Sequence, residues 1–212
     1  MPRSTNGNDP SQNSSSVSKI QEQPMKGAAR MKIELYTMYE MELDRLVLNT
    51  KGGREFVFPE ALSNGRANYI IFESLIRSIT GLQKTSGSDH QDTLGRKYEQ
   101  KSYEDPELYP ASKDLFRCSS SSTFSANNHG PKVDAFVDAG EYAKALEVCM
   151  KTGYNKNDFY IFTNTGGYEP RVPFRFFLVE KEKLLKHLDS EDPRLVSKTV
   201  LFGMLKSKVV IT

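Results

Sequence analysis

The chain has 212 residues, a formal net charge of +2 and a hydrophobic content of 37%. This length suits one domain with a tail, and the apolar content is sufficient for a core. No run of 18 or more apolar residues and no apolar signal region is found, so we expect neither a membrane span nor a secretory signal. The nearly neutral charge neither requires nor excludes a nucleic-acid partner.

The domain organisation follows from a change of composition along the chain. Residues 1–30 are rich in Ser, Asn, Gln, Pro and Gly, so we expect a disordered tail. Residues 31–212 are expected to form a single domain. Cys118 and Cys149 lack metal-ligand spacing, which favours a reduced, cytoplasmic protein without a disulfide framework.

The first half of the domain contains one strong helix signal. Residues 31–49 have mixed apolar spacing, which fits either a helix or a strand followed by a helix. Residues 55–59 form a short extended segment that ends at proline. A helix is predicted over residues 64–81, where Gly81 ends a run of apolar residues at three- and four-residue steps: Tyr69, Phe72, Leu75, Ile76 and Ile79.

Residues 86–103 predict a β-hairpin whose turn is Thr93-Leu94-Gly95. A three-residue loop needs a positive φ at its last position, which Gly95 adopts without strain. In this register the numbers of opposed residues sum to 188. Asp89 then faces Glu99, and Lys101 lies on the same face of the sheet.

Two facing carboxylates suggest a cation between them. Their Cβ atoms would lie about 5 Å apart, a spacing at which like charges destabilise a sheet. Mg²⁺ takes oxygen ligands from one or two carboxylates, backbone carbonyls and water. It acidifies a bound water and stabilises charge on a phosphoryl oxygen. Lys101 beside it would orient that water or neutralise the developing charge.

The order Asp89, a ten-residue step and then Glu99-Gln100-Lys101 resembles the signature of the PD-(D/E)XK nuclease superfamily, which includes many type II restriction endonucleases. Ser88 stands in the place of the family's proline, and Gln100 in that of an apolar residue. The resemblance implies that Asp89 and Glu99 bind Mg²⁺ and that Lys101 assists the attacking water. It also implies a catalytic role for Glu73 on the preceding helix, the alternative being an ordinary exposed helix glutamate.

Two nearby residues receive structural roles. Asp92 is a rival for the first acid, but the register places it on the other face beside Arg96, where a surface ion pair is expected. His90 should also point away from the site. The acid-x-lysine pattern itself has an alternative interpretation, as the solvated face of a charged strand.

The polar region over residues 104–131 is a candidate for DNA contacts. As a long loop it is either functional or a flexible insertion. Its side chains are of the types that contact phosphates and base edges. The candidate DNA-binding residues are Lys113, Arg117, Asn127, Asn128 and Lys132.

The second half alternates helices and strands. A helix is predicted over residues 133–152, ended by Gly153. Residues 158–164 predict a strand buried on both faces. A strand at 174–179, a helix at 180–188 and one more strand over 199–212 follow. This order resembles the second half of a restriction-endonuclease core, so the expected fold is α/β, a mixed central sheet flanked by helices.

The expected function is that of a Mg²⁺-dependent, sequence-specific endonuclease that hydrolyses double-stranded DNA, of the type II restriction kind. A homodimer is implied, since a two-fold protein matches a palindromic duplex site. Two alternatives remain. One is a repair or recombination nuclease of the same superfamily that reads DNA structure, and the other is a non-catalytic DNA-binding module.

Overall fold

The computed structural model describes residues 30–43, 47–49, 51, 53–57, 65–107, 109–119, 129–164 and 173–211. The expected tail falls almost entirely on residues 1–29, which lie outside this part. Asn127 and Asn128, two of the candidate DNA-binding residues, also lie outside it.

Ten strands and five helices make up the described part. The strands, in chain order, are β1 Thr37–Met41, β2 Val47–Asn49, β3 Glu55–Val57, β4 His90–Gln91, β5 Lys97–Tyr103, β6 Leu115–Arg117, β7 Phe159–Asn164, β8 Phe174–Glu180, β9 Leu195–Ser197 and β10 Ser207–Ile211. The helices are α1 Gly65–Thr80, α2 His129–Asp138, α3 Tyr142–Thr152, α4 Lys181–Leu185 and α5 Lys198–Gly203. A short 3₁₀ turn, Tyr154–Lys156, follows α3.

The central sheet has six strands in the order β10-β1-β8-β7-β5-β4. The β1–β10 and β5–β7 pairs are parallel, whereas the other three pairs are antiparallel. Two small antiparallel pairs, β2–β3 and β6–β9, lie outside it. The predicted α/β class with a mixed central sheet and flanking helices is therefore confirmed.

Both faces of the sheet are covered. On one face, Phe72 and Ile76 of α1 belong to a core with Tyr98 and Ile161. The other core contains buried side chains from α2, α3, α4 and α5 together with alternate sheet residues, among them Tyr160, Phe162, Phe177 and Val179. Successive β7 side chains thus enter opposite cores, as expected for a strand buried on both faces.

Several predicted helix boundaries are wrong. Of the two possibilities for residues 31–49, the strand is present as β1, but the described residues contain no helix after it. β1 is held between β8 and β10 with Met38, Tyr39 and Met41 buried. Tertiary pairing overrides an ambiguous local pattern. The predicted helix over 133–152 is two helices, α2 and α3, which part at Gly140 with φ 69°.

The other differences concern short elements. The predicted helix over 180–188 is the five-residue α4. The C-terminal strand is confirmed only for Ser207–Ile211, because α5 precedes it. The polar region contains a strand, β6, that pairs with β9 about 80 positions away, a contact that no local pattern signals.

Candidate active site

The predicted hairpin forms in the predicted register. His90 pairs with Tyr98 and Gln91 with Lys97, so the numbers of opposed residues sum to 188. Gly95 has φ 82° and its N–H donates to the Asp92 carbonyl at 3.1 Å. This turn fixes the offset between the two arms and thereby brings Asp89 level with Glu99.

Asp89 is held against the second arm by a backbone contact. Its Oδ2 accepts a hydrogen bond from the Gln100 N–H at 2.7 Å. Among the described residues Oδ1 accepts none, so one hard oxygen of this half-buried carboxylate is available to a ligand. The contact places the first acid of the predicted motif against Gln100, the residue that follows the second acid.

Glu99 and Lys101 form a close ion pair. Lys101 Nζ lies 2.6 Å from Glu99 Oε1, and Asn157 Nδ2 donates to Glu99 Oε2 at 3.3 Å. Glu99 is 7% exposed, so its charge is largely removed from water. Buried carboxylates are retained in proteins when they are paired and hydrogen-bonded, as here.

Glu73 joins this group from α1. It is 6% exposed and lies 3.5 Å from Arg77 Nη1, so it is not the exposed helix glutamate of the alternative prediction. Burial, and next the negative charge of Asp89, raise the pKa of Glu73 above its ordinary value. The two carboxylates therefore interact across the boundary between helix and hairpin.

Tyr69 interacts electrostatically with three charged side chains of this group. The pKa of its hydroxyl is raised first by the charge of Glu73, then by burial and by Asp89, whereas Lys101 lowers it. Asp89, Lys101 and Glu73 thus act on the same exposed tyrosine. Clusters of groups that perturb one another are common at functional sites.

Buried polar atoms without a hydrogen-bond partner concentrate around this group. In the described part of the chain they are Arg77 Nε, Ser88 Oγ, His90 Nδ1, Tyr103 Oη and Asn157 Oδ1. Ser88 and His90 flank Asp89, while Asn157 and Arg77 bind Glu99 and Glu73. Arg77 and Asn157 thus each have one unpaired buried atom beside an acid of the site, whereas His90 is held by Gln100 and lies away from the acids.

The carboxylates near the hairpin can be compared with the ligands that Mg²⁺ takes in proteins. No group of three or more Asp, Glu, His and Cys side chains within the described ranges is placed to hold a metal. Mg²⁺ is commonly bound by only one or two carboxylates together with water and substrate phosphates. Asp89 and Glu99 are only two carboxylates, so a metal held by them would need water and substrate oxygens as further ligands, and both Glu99 oxygens are already hydrogen-bonded, to Lys101 and Asn157.

The structure separates Asp92 and His90 from the acids. Asp92 forms the predicted ion pair with Arg96, at 2.6 Å, and also accepts the Leu94 and Arg96 N–H groups at 2.9 and 3.0 Å. His90 is fully buried, and its Nε2 lies 2.8 Å from Gln100 Oε1. Both residues stabilise the hairpin.

The candidate DNA-binding residues are not gathered into one patch by any described contact. Lys113 and Arg117 are exposed on or before β6, whereas Lys132 lies on α2 with Nζ 5.9 Å from the Phe136 ring centre. Their role stays a prediction.

Sequence reasoning missed two residues of the site, Asn157 and Tyr69. Asn157 is separated from Glu99 by 58 positions, so no spacing rule connects them. Tyr69 was assigned to the apolar stripe of its helix but is 51% exposed. A tyrosine one helical turn before a glutamate was the available signal, because residues four apart share a helix face.

Comparisons with protein-family models, curated proteins and solved structures give no match to this chain. Among the described helices, none has both the length and the apolar character needed to cross a bilayer. The functional argument therefore depends on the geometry of the hairpin and its neighbours.

Proposed function

We propose that the protein is a Mg²⁺-dependent endonuclease that hydrolyses phosphodiester bonds of double-stranded DNA. The observation that carries the proposal is the placement of Asp89 directly before β4 and of Glu99 and Lys101 on β5, the other arm of the hairpin. Lys101 lies 2.6 Å from Glu99, and Asp89 is bonded to the residue between them, Gln100. The buried Glu73 adds a fourth charge to the group.

Each residue has a distinct role in this proposal. Asp89 and Glu99 hold the metal, and Asn157 keeps Glu99 oriented through its amide hydrogen bond. A bound Mg²⁺ supplies an acidified water and stabilises charge on the phosphoryl oxygens. Lys101 donates hydrogen bonds to the attacking water or to the phosphate, where negative charge develops. Glu73 adds negative charge beside Asp89 and strengthens cation binding.

The finer assignment is a sequence-specific, homodimeric enzyme of the type II restriction kind. It is supported by the resemblance of the Asp89 and Glu99-Gln100-Lys101 pattern to that superfamily. A two-fold dimer would present its two sites to the two strands of a palindromic duplex.

A second candidate is a non-catalytic DNA-binding module. One observation favours it: both Glu99 oxygens already have partners, Lys101 and Asn157, as in a structural ion pair. In that case the hairpin acids stabilise the fold and hold no metal.

Digestion of unrelated DNAs by the purified protein, with Mg²⁺ and with EDTA, tests the proposal. Discrete fragments that appear only with Mg²⁺ support a sequence-specific endonuclease. A smear, or a preference for junctions, supports a nuclease that reads DNA structure. Metal-independent binding without cleavage contradicts the proposal and favours the binding module.

A further inference from the structure

A cavity of about 480 Å³ lies at the carboxyl end of β5, next to the candidate active site. Ser102, Tyr103 and Glu104 form one wall of it. Tyr103 follows Lys101 by two positions, so both side chains project from the same face of the strand, about 7 Å apart along it. The cavity therefore continues the row of side chains that begins with Glu99.

The lining of the cavity also contains a buried ammonium group. Lys198 is 2% exposed and donates to Ser112 Oγ at 2.6 Å and to the Glu104 carbonyl at 3.1 Å. Both acceptors are uncharged, and no carboxylate of the described ranges lies within 4 Å of Nζ. An ammonium has three N–H donors, and burying its charge without an anion is costly.

The nearest candidates for a counter-ion are already engaged. Asp114 accepts hydrogen bonds from Thr199 N–H and Oγ1 at 2.9 and 2.8 Å. Asp105, whose charge reaches Tyr103, lies 3.0 Å from the Arg175 guanidinium. Hydrogen bonds from Ser197 and Thr199, and after them the charge of Lys198, lower the pKa of Asp114, so Lys198 interacts with this carboxylate at longer range but forms no direct ion pair with it. A direct counter-ion for Lys198 would have to enter the cavity.

Further donors line the same space. Tyr103 is 3% exposed and its buried hydroxyl has no hydrogen-bond partner among the described residues. Lys113 is exposed at the rim, close to Ser112. Glu104 also lies at the rim, where its exposed carboxylate is screened by solvent. Two ammonium groups and two hydroxyls around one cavity are suited to an anion with several acceptor oxygens.

We propose that this cavity binds a phosphate group of the DNA strand, adjacent to the phosphate that is cleaved. Lys198 and Ser112 bind its oxygens at the base of the cavity, Tyr103 donates from the β5 wall, and Lys113 approaches from the rim. The assignment to DNA depends on the proposed function, whereas the phosphate chemistry depends only on the cavity.

The test uses three variants and a control. Lys198→Met and Lys113→Met remove the two charges, and Tyr103→Phe removes only the unpaired hydroxyl. Lys186→Met, at an exposed lysine after α4, is the matched control. DNA binding is measured by anisotropy over a series of salt concentrations with Ca²⁺ in place of Mg²⁺. Binding of inorganic phosphate is measured as the rise of the thermal midpoint at constant ionic strength.

We expect each lysine variant to lower the slope of log K against log salt by about 0.9, the value for one lost phosphate contact. Tyr103→Phe should weaken DNA binding about fivefold, in line with one lost neutral hydrogen bond. Phosphate should raise the thermal midpoint of the wild type and of Lys186→Met but not of Lys198→Met. If Lys198→Met does not fold, Tyr103→Phe and Lys113→Met decide the test.

Unchanged DNA binding in Tyr103→Phe and Lys113→Met would overturn the inference. The inference would also be overturned if these variants weakened the binding of inorganic phosphate but not the binding of DNA, since the cavity would then hold a free anion. The two proposals fail separately. If the wild type does not cleave DNA with Mg²⁺ but the variants bind DNA more weakly, only the proposed nuclease activity is wrong. If the variants cleave and bind DNA as the wild type does, only the proposed phosphate site is wrong.

Discussion

At the scale of single residues, the carboxylates of Asp89 and Asp92 have different roles. Asp89 Oδ1 has no hydrogen bond among the described residues, whereas both oxygens of Asp92 are engaged by Arg96, Tyr98 and the turn. Burial opposes ionisation of Asp92, but the hydrogen bonds from Arg96, Tyr98 and Leu94 outweigh it and lower its pKa. Asp92 should therefore contribute to stability and not to catalysis.

Asp92→Asn is expected to lower the free energy of unfolding by about 1–2 kcal/mol at pH 7. Asn keeps an oxygen for the Leu94 and Arg96 N–H groups, so the loss comes from the acceptor of the Tyr98 hydroxyl and from the ion pair with Arg96, which is 50% exposed and therefore screened. A carboxylate with a lowered folded pKa stabilises above its unfolded pKa and loses that effect as the pH falls. The penalty should thus begin to shrink at about pH 4 and disappear only below the lowered folded pKa. Urea unfolding at about pH 7, 4 and 2 measures it, and a penalty that is unchanged at about pH 2 would contradict this account.

His90 should make the protein sensitive to acid. Burial, to which the charge of Arg77 adds, lowers its pKa from 6.5 to about 4, against the opposing hydrogen bond with Gln100. The unfolded chain takes up a proton below about pH 6.5 while the folded protein does not, so stability falls from there to about pH 4. Over the full range from about pH 6.5 to about pH 4, this loss in the free energy of unfolding amounts to roughly 3 kcal/mol.

The difference between wild type and His90→Gln isolates this effect. We expect the wild type to lose roughly 2–3 kcal/mol more than the variant between pH 7.5 and pH 4.5, measured by urea unfolding. Equal losses in the two proteins would mean that His90 is protonated in the folded state.

At the scale of elements, the β4–β5 turn sets the register that the site needs. Gly95 has φ 82°, and an added Cβ would come no closer than 3.4 Å to Gln91 Nε2. Gly95→Ala should therefore cost about 1 kcal/mol through its backbone conformation and not through a clash. Gly203→Ala, where no atom lies within 4 Å and φ is not positive, should be neutral or slightly stabilising. Thermal unfolding of both variants checks this, and equal midpoints would contradict it.

Local sequence predicted this hairpin because its determinants are local. A glycine with positive φ and a short loop fix the register, and α1 was likewise marked by its apolar period and by Gly81. The strand nature of β1 and the pairing of β6 with β9 depend on partners far along the chain. The same holds within the site: Asp89 and Glu99 could be paired from sequence, whereas Asn157 could not.

At the scale of the whole molecule, one buried arginine links the sheet to the segment that follows β5. Arg175 of β8 lies 2.6 Å from Glu40 of β1 and 3.0 Å from Asp105, which is fully buried. Removing one partner of a buried pair leaves an uncompensated charge and typically costs about 3–5 kcal/mol. The network therefore stabilises the side of the sheet from which the proposed phosphate cavity is built.

Arg175→Met should lower the free energy of unfolding by about 3 kcal/mol or more. Arg96→Met is the control, because Arg96 is half-exposed and its ion pair should be worth less than about 1 kcal/mol. Chemical denaturation of the two variants compares them. Similar small losses in both would show that Asp105 and Glu40 find other partners.

The most direct test of the central claim is single-turnover DNA cleavage with Mg²⁺ by four variants, each first shown to fold. Asp89→Asn, Glu99→Gln and Lys101→Met are expected to lose about 10²–10³-fold or more in rate. Asp92→Asn, three positions from Asp89, should cleave at nearly the wild-type rate. A wild-type rate for any of the first three, or no Mg²⁺-dependent cleavage by the wild type on unrelated DNAs, would contradict the account.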